Sequence, residues 1–218
     1  MNTEYKQFDL ASIPAQSMVC MFGRRETGQN NIVKHILSFH TDIPFVTVVS
    51  SMEESNGFYA RFVRPSVVHG EYSAEAVAAF VKHQETLCMQ NKPEGSTLDA
   101  RGVLVLDDCL FGTEWHSDRG ICEAVLNGRR LGVLLILAFQ AVTDMPRSIR
   151  SNIDYTIICR ETSRTNRRKL YDGFAPMFDT FNDFCQVLDN ITDKRRYMVI
   201  KHGVDSTQLD DQVFWFKL

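Results

Sequence analysis

The sequence predicts an α/β protein with a mostly parallel sheet flanked by helices. Three observations support this fold class: apolar runs of about four to eight residues recur along the chain, they lack strict alternation with polar residues, and segments of helical length separate them. Unbroken apolar runs are typical of strands buried on both faces of a parallel sheet. Strands that alternate with helices form β-α-β units, whose crossovers are right-handed.

The elements are predicted in the following order. Strands are expected at residues 18–22, 45–50, 103–106, 132–139, 155–159 and 197–200. Helices are expected at residues 30–39, 73–91, 118–127, 164–174 and 180–190, and a loop at residues 92–101. Ser73 is suited to begin its helix, because a serine oxygen accepts a hydrogen bond from a main-chain amide of the first turn. Residues 214–216 are expected to form either an edge strand or a contact between subunits.

Length and composition predict a single domain over all 218 residues, with residues 1–16 as an N-terminal arm. Hydrophobic residues make up 44% and charged residues 23%, which excludes a disordered or fibrous chain. The formal net charge of −3 provides no overall basic field. No apolar stretch approaches the roughly 20 residues of a membrane span, and the first residues do not form a signal peptide. We therefore expect a soluble intracellular protein.

The six cysteines are scattered, with no C-x-x-C pair and no histidine at zinc-ligand spacing. Four of them lie in or beside apolar runs, where a free thiol behaves as a small hydrophobic side chain. We therefore expect buried, reduced cysteines rather than a metal site.

The first predicted strand continues into a loop bounded by two glycines and followed by a helix. The loop consists of Gly23, Arg24, Arg25, Glu26, Thr27, Gly28, Gln29 and Asn30. A strand, G-x-x-x-x-G and a helix form the context of a phosphate-binding loop, in which main-chain amides converge on phosphate oxygens. The consensus continues with Lys and Ser or Thr, whereas this chain has Gln29 and Asn30. The pattern predicts either a nucleotide site in which Arg24 or Arg25 supplies the missing charge, or a simple turn between strand and helix.

Polar side chains end two other predicted strands. Asp107 and Asp108 follow residues 103–106, and Gln140 follows residues 132–139. In an open α/β sheet this end of a strand faces the crevice in which ligands bind. In P-loop NTPases an Asp there holds Mg²⁺ and a second acid can act as the base toward water, while a strand-end amide senses the γ-phosphate or positions water. The alternatives are an Asp that caps a turn and a Gln bonded to neighbouring main chain.

Further motifs follow in the rest of the chain. They are Asp107-Asp108-Cys109-Leu110, Asn127-Gly128-Arg129-Arg130-Leu131-Gly132, Pro146-x-x-Ile149-Arg150-Ser151-Asn152-Ile153-Asp154-Tyr155, Arg168-Lys169-Leu170-Tyr171, Phe181-x-Asp183-Phe184 and Asp211-Gln212-Val213-Phe214-Trp215. Together with the loop and Gln140, they make the sequence resemble the genome-packaging ATPases of nucleocytoplasmic large DNA viruses. That family includes the poxvirus type and belongs to the FtsK–HerA superfamily of P-loop NTPases.

This resemblance implies a RecA-like sheet, a homo-oligomeric ring and ATP-driven movement of double-stranded DNA into a capsid. It implies that residues 23–30 bind ATP. It also implies that Asp107 holds Mg²⁺, that Asp108 is the catalytic base and that Gln140 is the polar sensor. The implied partners are double-stranded DNA, further copies of the chain and capsid or portal-like viral proteins. The implied location is the host cytoplasm, at the viral factory, and the virion.

Arginines have two further expected roles. In such rings an arginine finger reaches the γ-phosphate of a neighbouring subunit, and the candidates, in order, are Arg130, Arg129 and Arg150. Two basic clusters are expected either to contact duplex phosphates or to form solvated helix faces. The first cluster consists of Arg160, Arg164, Arg167, Arg168 and Lys169, and the second consists of Lys194, Arg195 and Arg196.

Gln29 and Asn30 leave hydrolysis open, because a lost phosphate-loop lysine removes stabilisation of transition-state charge. The leading hypothesis is an ATP-hydrolysing packaging motor. The alternative is a non-catalytic paralogue that keeps the fold and acts as an assembly or DNA-binding subunit. A third hypothesis is a helicase-like remodeller of nucleic acid on the same fold.

Overall fold

The computed structural model describes residues 5–91, 98–112, 114–142 and 145–218. Its eight strands are β1 (Met18–Phe22), β2 (Phe45–Ser50), β3 (Val68–His69), β4 (Gly102–Asp107), β5 (Val133–Phe139), β6 (Tyr155–Ile158), β7 (Tyr197–Lys201) and β8 (Val213–Phe216). They form one sheet in the order β3-β2-β4-β5-β1-β6-β7-β8. Strands β1 to β6 are parallel, and β7 and β8 add an antiparallel edge. The predicted fold class is confirmed.

Among the described residues, five helices lie where the pattern predicts them, with ends that differ by a residue or two, and two helices of four residues were not predicted. In chain order the helices are α1 (Gln29–Ser38), α2 (Glu53–Asn56), α3 (Ala74–Gln90), α4 (Arg119–Asn127), α5 (Arg147–Arg150), α6 (Arg164–Phe174) and α7 (Phe181–Thr192). The Ser73 side chain accepts a hydrogen bond from the Ala76 amide, which confirms it as the cap of α3. Asp118, Ser163 and Thr180 cap α4, α6 and α7 in the same way.

The central strands are apolar throughout because both faces of the sheet are covered. On β4, Leu104 and Leu106 belong to one core, whereas Val103 and Val105 belong to the other. Successive side chains of a strand point to opposite faces, so burial on both sides requires an unbroken apolar run. Residues of α3, α4, α6 and α7 complete the first core, and residues of α1 complete the second.

The two edge strands and the N-terminal segment were predicted only in part. Strand β3 has two residues and was not predicted, since so short a segment leaves no apolar run. Strand β8 confirms that residues 214–216 lie in an edge strand. In the N-terminal segment Phe8, Leu10 and Ile13 are buried in the second core. Residues 1–4 of the expected arm and residues 92–97 of the expected loop lie outside the described residues.

All six cysteines are free thiols. Cys20, Cys109 and Cys159 are buried, and the other three are partly exposed. Burial is therefore confirmed for half of them. Within the described ranges, no helix is both long and apolar enough to span a membrane.

Candidate functional site

The fold brings the predicted site residues to one edge of the sheet. Strand β5 lies between β1 and β4, and the carboxyl ends of the three parallel strands coincide. Gln140, which follows β5, therefore stands between the loop after β1 and the two carboxylates at the end of β4. A cavity of about 500 Å³ opens there. It is lined by Arg24, Arg25, Glu26, Gly28, Gln29, Asn30, Asp107, Asp108 and Gln140, and by Asn31, Met52, Asn56 and Phe58.

The loop at residues 23–28 has a conformation that needs its two glycines. Gly28 begins α1 with a φ of 96°, and a Cβ there would lie 2.5 Å from the Tyr197 hydroxyl. A Cβ on Gly23 would lie 2.6 Å from both Cys159 Sγ and Thr27 Oγ1. Contacts shorter than van der Waals distance to packed neighbours cannot be relieved without moving the chain, so larger residues are excluded at both positions. The conformation of this loop therefore depends on both glycines.

Gln29 holds the loop against the sheet. Its side chain is buried, and Nε2 donates a hydrogen bond to the Phe139 carbonyl oxygen at 3.0 Å. The Gly23 amide donates to the same carbonyl, also at 3.0 Å. The two bonds close the loop onto the end of β5. Gln29 therefore has a structural contact of its own.

The two loop arginines have different partners. Arg24 Nη2 donates to Glu161 Oε1 at 2.8 Å, and Glu161 is a buried carboxylate just before α6. Arg25 points across the cavity instead, where its Nε donates to Gln140 Oε1 at 3.1 Å. Only Arg25 of the two is directed at the carboxylates.

Asp107 is buried at the end of β4 and is held by two hydroxyl groups. Its Oδ2 accepts hydrogen bonds from Ser50 Oγ at 3.1 Å and from the Tyr59 hydroxyl at 3.0 Å. Burial raises the pKa of Asp107 to about 6, because desolvation outweighs these two hydrogen bonds. The carboxylate is thus positioned through one oxygen, and the other oxygen is left for a ligand.

Asp108 has left-handed main-chain geometry, with a φ of 48°, and is half-buried. Its Oδ2 accepts hydrogen bonds from Gln140 Nε2 and, at 3.5 Å, from Ser51 Oγ. Burial raises the pKa of Asp108, and the positive charge of Arg25 opposes this rise. Arg25, Gln140 and Asp108 therefore form one chain of contacts across the cavity.

The carboxylates fit a magnesium ion that is shared with a nucleotide. Within the described residues, no group of three or more His, Cys, Asp or Glu side chains could hold a metal by itself. Mg²⁺ is usually bound through one or two carboxylates together with substrate phosphates, rather than in an all-protein cage. Asp107 and Asp108, with the amide oxygen of Asn30 on the facing side of the cavity, match that donor set.

The three candidate arginine fingers lie away from this cavity. Arg129 and Arg130 lie in the turn between α4 and β5, at the amino end of a strand whose carboxyl end, about 20 Å away, faces the site. Arg129 pairs with Asp154, and the exposed Arg130 lies 3.9 Å from Glu123. The Arg150 guanidinium donates to the Gly173 carbonyl at 3.3 Å. None of the three therefore lines this cavity.

Several residues of the two basic clusters are engaged within the chain. Arg167 forms a two-pronged ion pair with Asp189, at 2.6 and 2.9 Å. Arg168 pairs with Asp172, and the Arg196 guanidinium lies 5.2 Å from the centre of the Trp215 ring. These three arginines stabilise the fold. Four others are exposed at the same edge of the sheet as the cavity, namely Arg160, Arg164, Lys194 and Arg195.

Three residues that donate hydrogen bonds to the site carboxylates were not predicted. Ser50 and Ser51 follow the apolar part of β2, so the criterion applied to Gln140, a polar residue at a strand end, would have found them. Tyr59 lies 48 residues before Asp107, after the short helix α2. No local pattern marks a tyrosine whose only distinguishing feature is a distant partner.

Comparison with solved structures places this fold among viral packaging NTPases. The genome-packaging NTPase B204 of Sulfolobus turreted icosahedral virus 2, solved with ATP-gammaS, matches 94% of this chain and 98% of its own, with a TM-score of 0.56 and 16% identity. The DNA-packaging ATPase B204 of Sulfolobus turreted icosahedral virus matches with a TM-score of 0.64, 19% identity and the same coverage. The pCW3 conjugation coupling protein TcpA matches 96% of this chain and 61% of its own, with a TM-score of 0.61 and 13% identity. This chain has a P-loop NTPase fold. The predicted resemblance to packaging ATPases is thus confirmed in structure.

The similar sequences come from large DNA viruses. An uncharacterized protein of Acanthamoeba polyphaga mimivirus is 28% identical over 218 residues, which span 98% of this chain and 77% of the relative. An uncharacterized protein of Invertebrate iridescent virus 6 is 29% identical over 209 residues, which span 93% of this chain and 77% of the relative. No family model matches the sequence.

Proposed function

We propose that this protein is a genome-packaging motor that binds ATP with Mg²⁺ and moves double-stranded DNA into a viral capsid. The observation that carries the proposal is the single cavity in which the loop at residues 23–30 faces Asp107, Asp108 and Gln140. A glycine-bounded loop at a helix N-terminus binds phosphates, and carboxylates across from it bind the accompanying metal. The packaging NTPases with the same fold and the relatives from large DNA viruses support the choice of DNA as cargo.

In this proposal three side chains of the cavity have separate tasks. Asp107, fixed by two hydroxyls, would hold Mg²⁺, which would neutralise charge on the phosphates. Asp108 accepts the proton of the attacking water, because a half-buried carboxylate with a raised pKa is a better base than a solvated one. Gln140 bonds Asp108 and orients that water beside it.

The opposite edge of the sheet contributes to a neighbouring site in this proposal. Arg130, with Arg129 as the second choice, supplies the arginine finger of the next subunit in a homo-oligomeric ring.

Contacts of Arg160, Arg164, Lys194 and Arg195 with duplex phosphates would be independent of sequence and weakened by salt. Capsid or portal-like proteins are the further partners, in the host cytoplasm and the virion.

Nucleotide binding and hydrolysis test the proposal directly. We expect a non-hydrolysable ATP analogue to bind the purified protein with a dissociation constant in the micromolar range in the presence of Mg²⁺. We also expect duplex DNA to stimulate ATP hydrolysis, and stimulation to decline as salt is raised. A protein that neither binds the analogue nor hydrolyses ATP with DNA present would contradict the proposal.

A second function is favoured by one observation, the neutral Gln29 at the lysine position. In this alternative the protein keeps the fold and the ring, but serves as a non-catalytic assembly or DNA-binding subunit. The paired change Gln29→Lys with Asn30→Thr separates the two functions. For a motor that already hydrolyses ATP, we expect a change of less than about threefold, whereas a gain of tenfold or more would support the alternative.

A further inference from the structure

We infer that Arg25 is the cation of this nucleotide site, in place of the lysine that its loop lacks, and that it binds the terminal phosphates. The inference rests on the proposed binding of ATP. It assigns to one residue the selectivity for a triphosphate over a monophosphate.

Gln29 does not supply the missing contact. Its amide is neutral, its side chain is buried, and one of its two Nε2 hydrogens is donated to the Phe139 carbonyl. Turning it toward a phosphate would break that bond and leave the carbonyl with the Gly23 amide alone. The residue is thus committed to holding the loop closed.

Two other cations near the loop are also committed elsewhere. Arg24 is bonded to the buried Glu161, a carboxylate that also accepts hydrogen bonds from the Ser163 amide and from Asn166. Lys34, farther along α1, lies over the Phe62 ring at 5.4 Å and lines a different cavity. Neither side chain is directed at the carboxylates.

Arg25 has the position, the charge and the free donors for this role. Arg25 lines the cavity, and its Nε donates a hydrogen bond to Gln140 Oε1. Among the described residues, that is the only hydrogen-bonding partner recorded for the group. Both Nη groups therefore remain to donate, and a guanidinium binds two phosphate oxygens at once with good geometry.

Contact with Gln140 and proximity to Asp108 fix where the bound phosphate would lie. Gln140 bonds Arg25 with one amide atom and Asp108 with the other. A group bound by Arg25 thus lies beside the base and the water-positioning amide, which is the place of the terminal phosphate. The inner phosphate lies against the main-chain amides at the start of α1, where no side-chain charge is required.

The test compares Arg25→Ala with the matched variant Arg147→Ala in the full chain, since Arg147 is an exposed arginine on α5 that does not line the cavity. Binding of ATPγS, ADP and AMP is measured by calorimetry with Mg²⁺. We expect Arg25→Ala to weaken ATPγS binding at least tenfold and AMP binding less than threefold, and Arg147→Ala to leave ATPγS binding unchanged. Arg25 and Arg147 are both exposed, so both variants should keep the wild-type melting temperature. Arg25→Lys, which keeps one charge but loses the fork, should bind ATPγS with intermediate affinity.

The outcomes separate this inference from the proposed function. If Arg25→Ala binds ATPγS with the affinity of the wild type, the inference is overturned and the proposed binding of nucleotide is not affected. Equal weakening of ATPγS and AMP would also overturn it, since the terminal phosphates would then not be the group recognised. A wild-type chain that binds none of the three nucleotides would overturn the proposed function as well.

Discussion

The cavity has two walls, the loop at residues 23–30 and the carboxylates at the end of β4. The two walls differ in how firmly hydrogen bonds position their charged groups. On the carboxylate wall, Asp107 and Asp108 are buried or half-buried and accept hydrogen bonds from Ser50, Tyr59, Ser51 and Gln140. On the loop wall, the position that usually carries the cation is a Gln bonded to main chain, and the charge is on an exposed arginine.

This difference shows which features of a phosphate site depend on geometry and which depend on charge. The loop conformation depends on Gly23 and Gly28, where no other residue fits. Positive charge can be supplied from any position that reaches the phosphates. The carboxylate wall has no such freedom, because a buried acid needs fixed donors around it to remain charged. We therefore expect the positive charge to be movable along the loop wall, whereas the two glycines and the two carboxylates must keep their positions.

The largest expected effect is on hydrolysis, at the carboxylate wall. Asp108→Asn should lower the rate of ATP hydrolysis at least about 100-fold, since the amide cannot accept the proton of the attacking water. Binding of ATPγS should stay within about threefold of wild type, because the change leaves the loop intact. A steady-state ATPase assay, together with calorimetry, checks both parts.

Asp172→Asn is the matched control, since Asp172 is an exposed carboxylate on α6 that pairs with Arg168. It should hydrolyse ATP at the rate of the parent protein. The parent protein is the wild type if the wild type hydrolyses ATP, and otherwise it is the Gln29→Lys, Asn30→Thr variant. An Asp108→Asn protein with the activity of its parent would show that Asp108 is not the base.

A smaller effect is expected from the support of the carboxylate wall. Tyr59→Phe removes a hydrogen bond to the buried Asp107 carboxylate and should lower the free energy of unfolding by about 2 kcal/mol. Urea denaturation measures the change. In Tyr171→Phe, the hydroxyl lost makes only long bonds, at 3.3 and 3.4 Å, to neutral carbonyl oxygens. The Tyr171→Phe control should lower the free energy of unfolding by less than about 1 kcal/mol. Equal losses of this free energy in the two variants would mean that Asp107 does not depend on Tyr59.

The smallest expected effect is on the loop wall. Glu26 lines the cavity, is exposed and has a φ of 65°. Glu26→Gln removes a negative charge near the phosphates and should tighten ATPγS binding by about twofold to fivefold, as expected for an exposed charge pair. Asp205→Asn, an exposed acid beyond β7, should leave the affinity unchanged. Weaker binding by Glu26→Gln would mean that Glu26 assists the site rather than opposing it.

Most of the fold could be predicted because its strands are buried on both faces. The runs at β1 and β5 are apolar over their whole length, and α3, α4, α6 and α7 begin at side chains that cap them. The antiparallel pairing of β7 with β6 and with β8 was beyond prediction, since strand direction depends on the connection and not on the apolar run itself. The two residues of β3 pair with β2 without any pattern of their own.

The site could be predicted in part for a similar reason. Asp107, Asp108 and Gln140 each end an apolar strand, so their meeting at one edge follows from the parallel sheet. The sequence left Arg24 and Arg25 equal, because only the folded chain brings Glu161 within 2.8 Å of Arg24. The contact of Gln29 with Phe139 is also a property of the packed sheet.

The Tyr197 hydroxyl joins the phosphate loop to the antiparallel edge of the sheet. It donates a hydrogen bond to the Thr27 carbonyl at 3.0 Å and fills the space that a side chain on residue 28 would need. Just before it, Lys194 and Arg195 have left-handed main-chain geometry. A displacement of Tyr197 must therefore either carry the loop with it or break this bond, so one hydrogen bond couples the loop at residues 23–28 to the antiparallel edge, two residues beyond the basic turn.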